Sequence, residues 1–223
     1  MLRKILSDLK FYWEDVVCAR SYASKGKWLV SPNRQLILKV QEFGCRHVAE
    51  IGIGQGATSI ELAKYLQTLD GETSLHLFDF ERKLSKVVGK IKSLGYESVF
   101  GYGNTEKLLD SYNWSLMLLI QKGEYGIFDY IYLDGAHTWA FDALAFLLSD
   151  RLLKVGGYFE MDDYMWSISK SPTINPRVFP QIRRMYSDEQ INENQVRLVI
   201  DLLVKTDKRY AEILPNRLYK KIA

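Results

Sequence analysis

The chain has 223 residues and is short of the features that mark several protein classes. It has two cysteines, Cys18 and Cys45, with no CxxC spacing, so no disulfide framework is expected. Its net charge is only +3, and acidic residues interrupt the basic stretch from Lys205 to Lys221. Phosphate-binding proteins concentrate their positive charge, so no nucleic-acid partner is expected. No apolar run approaches the roughly 20 residues of a membrane span. The opening MLRKILSDLKFYWEDVV carries charges every few residues, without the apolar centre of a signal peptide. A cytoplasmic protein with no membrane partner is the expectation. Internal repeats and low-complexity segments are also lacking. What remains is an ordinary globular composition, 47% hydrophobic, with enough chain for one large core.

Two parts differ in pattern. Residues 1–42 read as helical, with Leu2, Ile5, Leu6, Leu9, Tyr12 and Trp13 at helical spacing. Ser31-Pro32-Asn33 starts a second helix, with Leu36, Ile37 and Val40 on one face. This part is read as a lid or arm, and its aromatic residues make it a candidate contact in a homo-oligomer. Residues 43–223 read as one domain. HVAEIGIG, SLHLFDF, VFGYG, FDYIYLDG and GGYFEMDD are apolar strand segments, separated by helical stretches at 57–69, 83–94, from 105 to 110 onward, and at 139–153. Such alternation predicts an α/β fold, a Rossmann-like doubly wound sheet with helices on both faces. A helix is expected over 195–206, and Pro215-Asn216 between YAEIL and RLYKKI predicts a C-terminal hairpin. The stretch 165–194, rich in Ser, Pro, Asn and Arg, follows the fifth strand and is expected to pass over the mouth of a site there.

The densest signal is Glu50-Ile51-Gly52-Ile53-Gly54-Gln55-Gly56-Ala57-Thr58. Glycine is needed where backbone takes positive φ or approaches a ligand closely. A glycine turn between a strand end and a helix start is where open α/β sheets bind ligands. Gly52, Gly54 and Ala57 also satisfy the dinucleotide pattern, and Asp79 could accept hydrogen bonds from ribose hydroxyls in either ligand class.

On Glu50, the GxGxG form completed by Gly56, and Asp79, the span from His47 to Asp163 resembles the core of class I S-adenosylmethionine (SAM)-dependent methyltransferases. The resemblance implies that Glu50 sits by the cationic end of SAM. It implies further cofactor contacts from Gly52, Gly54, Gly56, Asp79, Phe80 and Asp134. The loop after the third strand, Gly103-Asn104-Thr105, falls at the adenine. Asn104 departs from the acid common there, but its side-chain carbonyl can still pair with an amino group. The antiparallel pair closing the sheet is likewise what the resemblance implies.

A second constellation stands at the next strand ends, in Leu133-Asp134-Gly135-Ala136-His137 and Glu160-Met161-Asp162-Asp163-Tyr164. Consecutive parallel strands can bring Asp134, Asp162 and Asp163 to one edge. Crowded carboxylates need a cation or a proton, and oxygen-only donors suit Mg²⁺. The arrangement resembles metal-dependent O-methyltransferases of the catechol and macrolide-sugar types. By position, Asp134, Asp162 and Asp163 take the metal-ligand places, and His137 falls where the catechol type carries its basic lysine. The implied function is SAM-dependent O-methylation of a small hydroxylated molecule, such as a sugar, with Asp134 and His137 catalytic. A metal-independent methyltransferase, an NAD(P)-dependent oxidoreductase and a non-enzymatic binding module are the alternatives. His47 and His76 carry no expected chemistry.

Overall fold

A computed structural model of the protein describes residues 31–107 and 109–223. The described residues fall into two compact units, 31–165 with 195–223, and 166–194. The first helix expected in the N-terminal arm lies outside the described residues.

The larger unit holds one seven-stranded sheet. Its strands are β1 (His47–Ile51), β2 (Ser74–Phe80), β3 (Val99–Asn104), β4 (Phe128–Leu133), β5 (Leu153–Met161), β6 (Tyr210–Leu214) and β7 (Leu218–Lys221). Their order across the sheet is β3-β2-β1-β4-β5-β7-β6. β1 to β5 run parallel, while β7 pairs antiparallel with β5 and β6. The helices of this unit are α1 (Arg34–Glu42), α2 (Ala57–Gln67), α3 (Glu81–Ser93), α4 (Tyr112–Gln121) and α5 (Trp139–Leu152).

Strand alternation sorts the apolar side chains onto two faces. On one face Ala49, Ile51, Phe78, Ile131 and Leu133 join Leu116 of α4 and Phe146 of α5. On the other Val48, Leu75, Leu77, Tyr130 and Tyr132 join Leu36 and Val40 of α1, Leu62 of α2 and Ile91 of α3. Every residue of β4 is buried, as a central strand covered on both faces requires. Burial of this kind contributes about 25 cal/mol per Å² of apolar surface.

Three expectations need adjustment. The boundary at residue 42 shifts, because α1 buries Leu36 and Val40 in the core of the sheet-bearing unit. The helix expected to begin at Thr105 starts at Tyr112. The Asp110 carboxylate accepts from both the backbone N–H and the hydroxyl of Thr105 (2.6 Å each), which holds this stretch as a turn, and Ser111 then caps α4. The helix over 195–206 is α-helical at Gln195–Val199 and continues as a π-helix at Ile200–Val204.

The smaller unit, 166–194, carries a 3₁₀ turn at Ile168–Lys170 and two short helices, Ile182–Met185 and Asp188–Asn192. Ser187 and Gln190 form a reciprocal capping box, and Ile168, Ile182 and Ile191 make a small core of its own. Among the described residues, no helix is long and apolar enough to cross a membrane.

Candidate active site

β1 lies between β2 and β4, so the direction of winding reverses beside it. Open α/β sheets bind ligands at such a switch point, outside the carboxyl ends of the strands. The glycine turn stands there. Gly52 has φ +89°, and a Cβ on it would fall 2.0 Å from the Asp134 carbonyl oxygen. The backbone N–H of Asp134 in turn donates to Ile51 (2.8 Å). Glycine is therefore required at position 52 for the turn after β1 to abut the loop after β4. Gly56, at φ +77°, packs on Val87. Gly54 also has positive φ (+54°), but among the described residues a Cβ there would meet nothing within 4 Å.

Asp79, next to last in β2, is almost fully buried. It accepts from the backbone N–H groups of Ile53 (3.0 Å) and Phe80 (2.6 Å), and Lys83 lies 3.2 Å away. These bonds fix the carboxylate beside the glycine turn, and each of its oxygens can accept more than one donor. The Phe80 ring is partly exposed, with Lys83 Nζ 5.5 Å from its centroid. The Asn104 amide nitrogen donates to the carbonyls of Thr105 (3.2 Å) and Asp110 (3.5 Å), which orients the side chain.

Glu50 is 2% exposed, and its only side-chain donor among the described residues is the Ser59 hydroxyl at 2.6 Å. Burial pushes its pKa up to about 8, and the nearby Asp134 and Asp79 charges add to the effect. Burial likewise raises Asp134 to about 7, reinforced by Asp162 and Asp163. The centre is therefore short of positive charge, which suits a cationic ligand.

The loop after β4 is held from behind. The Tyr112 hydroxyl donates to the buried Asp142 (2.5 Å) and accepts from the Ala136 backbone N–H (3.2 Å). His137 then adopts φ +56° and Asp163 φ +61°. Positive φ is uncommon for residues other than glycine, and such strain collects at functional sites. His137 Nε2 lies 3.5 Å from Asp134 Oδ1 and 3.5 Å from Asp163 Oδ2. One donor atom from each of Asp134, His137 and Asp163 falls within 4.8 Å of the others. Two carboxylates with an imidazole beside them, both acids raised chiefly by burial, form a group that fits a divalent cation.

Asp162 departs from the set of three aspartates expected. Its carboxylate accepts from the Tyr132 hydroxyl (2.6 Å) and pairs with Arg217 (3.3 Å). The same hydroxyl lies 3.3 Å from Asp134 Oδ2, and the close group around Asp134 and Asp163 is completed by His137. Sequence reasoning missed Arg217, Tyr132, Tyr112 and Asp142. None lies in a motif, and only pairing across the sheet brings them to this edge.

No family model and no curated protein sequence matches the chain. Solved structures do match in fold. An O-methyltransferase from Bacillus cereus in complex with S-adenosylhomocysteine (SAH) is 19% identical, with TM-score 0.59 over 94% of this chain and 90% of that one. TomG from Streptomyces achromogenes is an O-methyltransferase involved in tomaymycin synthesis, in complex with SAM. It is 16% identical, with TM-score 0.58 over 93% of this chain and 89% of its own. A methyltransferase from Geobacter sulfurreducens is 11% identical, with TM-score 0.54 over 97% of both chains.

Proposed function

We propose that this chain, which has the Rossmann-like fold of class I SAM-dependent O-methyltransferases, transfers the methyl group of SAM to a hydroxyl of a small molecule, assisted by a divalent cation. One observation carries the reading. The glycine turn and the Asp134–His137–Asp163 group are built against each other, through Gly52 on the Asp134 carbonyl. A cofactor turn and a proton-accepting, cation-holding group on one edge are what methylation of a hydroxyl needs.

SAM, when bound, supplies a methyl group already activated on a sulfonium sulfur. Asp134 and Asp163 would hold the divalent cation, Mg²⁺ or a similar ion, which would supply Lewis acidity towards an acceptor hydroxyl. The chain's own residues do the rest. Gly52, Gly54 and Gly56 let the backbone approach the cofactor, and Asp79 offers its carboxylate to the ribose hydroxyls. Glu50 and Asp134 favour the cationic end. His137 takes the acceptor's proton at Nε2, and Asp134 stabilises the imidazolium that results. Tyr112 and Asp142 fix the loop that aims His137. Alignment of acceptor and methyl donor is worth about 7–11 kcal/mol in favourable cases.

A second reading is a metal-independent methyltransferase of the same fold. The His137–Asp134 pair favours it, being a base with its orienting carboxylate. Calorimetric titration with SAH on wild type and Asp79→Ala tests the cofactor site. Binding that disappears in the variant supports it, and binding of NAD(H) in place of SAH would overturn it. A screen of hydroxylated acceptors with SAM, with and without a chelator, then separates the two readings. Turnover that survives chelation assigns the chemistry to His137 and Asp134 alone.

A further inference from the structure

Arg217 precedes β7 directly, and its carbonyl accepts from the Met161 backbone N–H (3.0 Å). That pairing places it beside the acids that end β5. Its Nε donates to Glu160 Oε1 (2.6 Å), while Nη1 and Nη2 lie 3.3 and 3.4 Å from Asp162 Oδ1 and Oδ2. Glu160 is fully buried and also binds Lys39 and the Tyr130 hydroxyl. Asp162 Oδ2 further accepts from Tyr132, whose hydroxyl is held by Asn33 Nδ2 (3.2 Å) and also lies 3.3 Å from Asp134 Oδ2. Both Asp162 oxygens are thus engaged by groups of the fold, with the carboxylate still beside Asp134. Asp163 is different, because its Oδ2 faces His137.

The turn that carries Arg217 is built to hold it. Asn216 takes φ +58°, and its backbone N–H donates to Glu212 Oε1 (2.7 Å). Lys205 Nζ donates to Asp201 (2.8 Å) and to Asn216 Oδ1 (2.5 Å). A guanidinium fixed at its base can match both oxygens of one carboxylate, and an ammonium cannot.

We propose that Arg217 is a positioning residue that occupies the oxygens of Asp162, leaving Asp134 and Asp163 as the carboxylates open to a divalent cation. The inference rests on the reading that this centre takes such a cation. A fixed guanidinium neutralises Asp162 and opposes a second cation at the same oxygens. Removing it would release a third carboxylate to the centre and take away one repelling charge.

The test uses the full chain with Mn²⁺ as probe, free Mn²⁺ being read from its electron paramagnetic resonance signal. Asp163→Asn is expected to weaken binding about tenfold or more, as loss of a ligand does. Asp162→Asn is expected to change it by less than about threefold, because that carboxylate is already engaged by Arg217. Arg217→Met is expected to tighten binding about tenfold, and the gain should vanish in the Arg217→Met/Asp162→Asn double variant. A purely structural role for Arg217 predicts weaker binding in Arg217→Met, and that result would overturn the proposal. So would Asp162→Asn weakening binding as much as Asp163→Asn, a comparison that holds even where Arg217→Met does not fold. Absence of Mn²⁺ binding to wild type would overturn the cation reading together with this inference. The SAH titration, which needs no metal, shows whether the cofactor reading survives.

Discussion

The two ends of the parallel sheet handle buried charge in opposite ways. Where the strands begin, the buried Asp129 and Asp150 each have a cationic partner. Burial alone would raise Asp129, yet Lys154 and the backbone N–H groups of Arg46 and His47 hold it below the usual carboxylate range. Asp150 is treated alike by Arg209, Lys221 and Tyr210, again against the burial effect. Where the strands end, Glu50, Asp134 and Asp142 are pushed up to about 8, 7 and 6, chiefly by burial. Asp163 is raised too, by burial and by Asp162. The cations at this edge pair with other acids, Lys83 with Asp79, Lys39 with Glu160, and Arg217 with Glu160 and Asp162. A fold that can neutralise its acids at one end and leaves them short at the other is arranged to receive positive charge there.

The sharpest way to break this comparison is to remove one acid from each end and unfold the ligand-free protein in urea. Asp150→Ala removes a carboxylate bound by Arg209, Lys221 and Tyr210 and should cost about 2–3 kcal/mol, chiefly through the donors left without it. Asp134→Asn relieves repulsion and should cost under about 1 kcal/mol, or stabilise, the usual trade at functional sites. Equal costs would mean that both ends are structural.

The glycines offer a second contrast. Gly52 and Gly156 share a positive φ (+89° and +87°), but only at Gly52 would a Cβ meet backbone. Gly156→Ala should cost about 1–2 kcal/mol from φ alone. Gly52→Ala should cost about 3 kcal/mol or more and abolish SAH binding, because the Asp134 loop must move. Comparable stabilities of the two variants would remove the close approach from the argument.

Proton linkage gives a third test. A cationic ligand lowers the pKa of Glu50, so SAM binding should release a proton and tighten as pH rises from 6.5 to 7.5, by up to about tenfold. Calorimetry in buffers of different ionisation enthalpy measures that proton. Glu50→Gln should reduce it, and an unchanged value would exclude Glu50 as its source.

The smallest effect is on stability. His76 is held down to about 4 by burial and by His47. Its contribution is present above the unfolded imidazole pKa near 6.5 and is lost as pH falls towards 4. The raised acids act oppositely. Protonated in the fold and ionised when unfolded, they cost stability as pH rises from about 4 through their folded values. Above pH 6.5 only the acids remain, so the Tm of the ligand-free protein should fall by about 2–4 °C between pH 6.5 and 8. Asp134→Asn should flatten that slope in a thermal melt, and a slope unaltered by the substitution would shift the cause to other groups.

How far the site could be read in advance follows from the range of the interactions. Glu50, the three glycines and Asp79 are legible because a strand, a tight turn and a helix start are local, with side chains fixed within a few residues. Asp134, His137 and Asp163 are legible as strand-end residues, but their mutual distances are not. The turn at 105–110 was read as helix because one carboxylate, Asp110, captures Thr105, and periodicity does not register a single side-chain bond. Asp162 and Asp163 are adjacent and identical in type, so no pattern says which one faces the centre. Arg217 lies 55 positions from Asp162 in a stretch that reads as ordinary basic surface.

By itself the sequence determined the order of strands and helices, the glycine turn at a strand end, and the acids that finish β1, β2, β4 and β5. Period-2 and period-3.6 patterning and glycine's access to positive φ are properties of short segments. The tertiary structure alone decided which charges meet. β7 inserts beside β5 and brings Arg217 to Asp162, while Tyr112, bound to Asp142, accepts from Ala136 in the loop that carries His137. Electrostatic pairing depends on distances between residues remote in the chain, and those distances exist only once the sheet has closed.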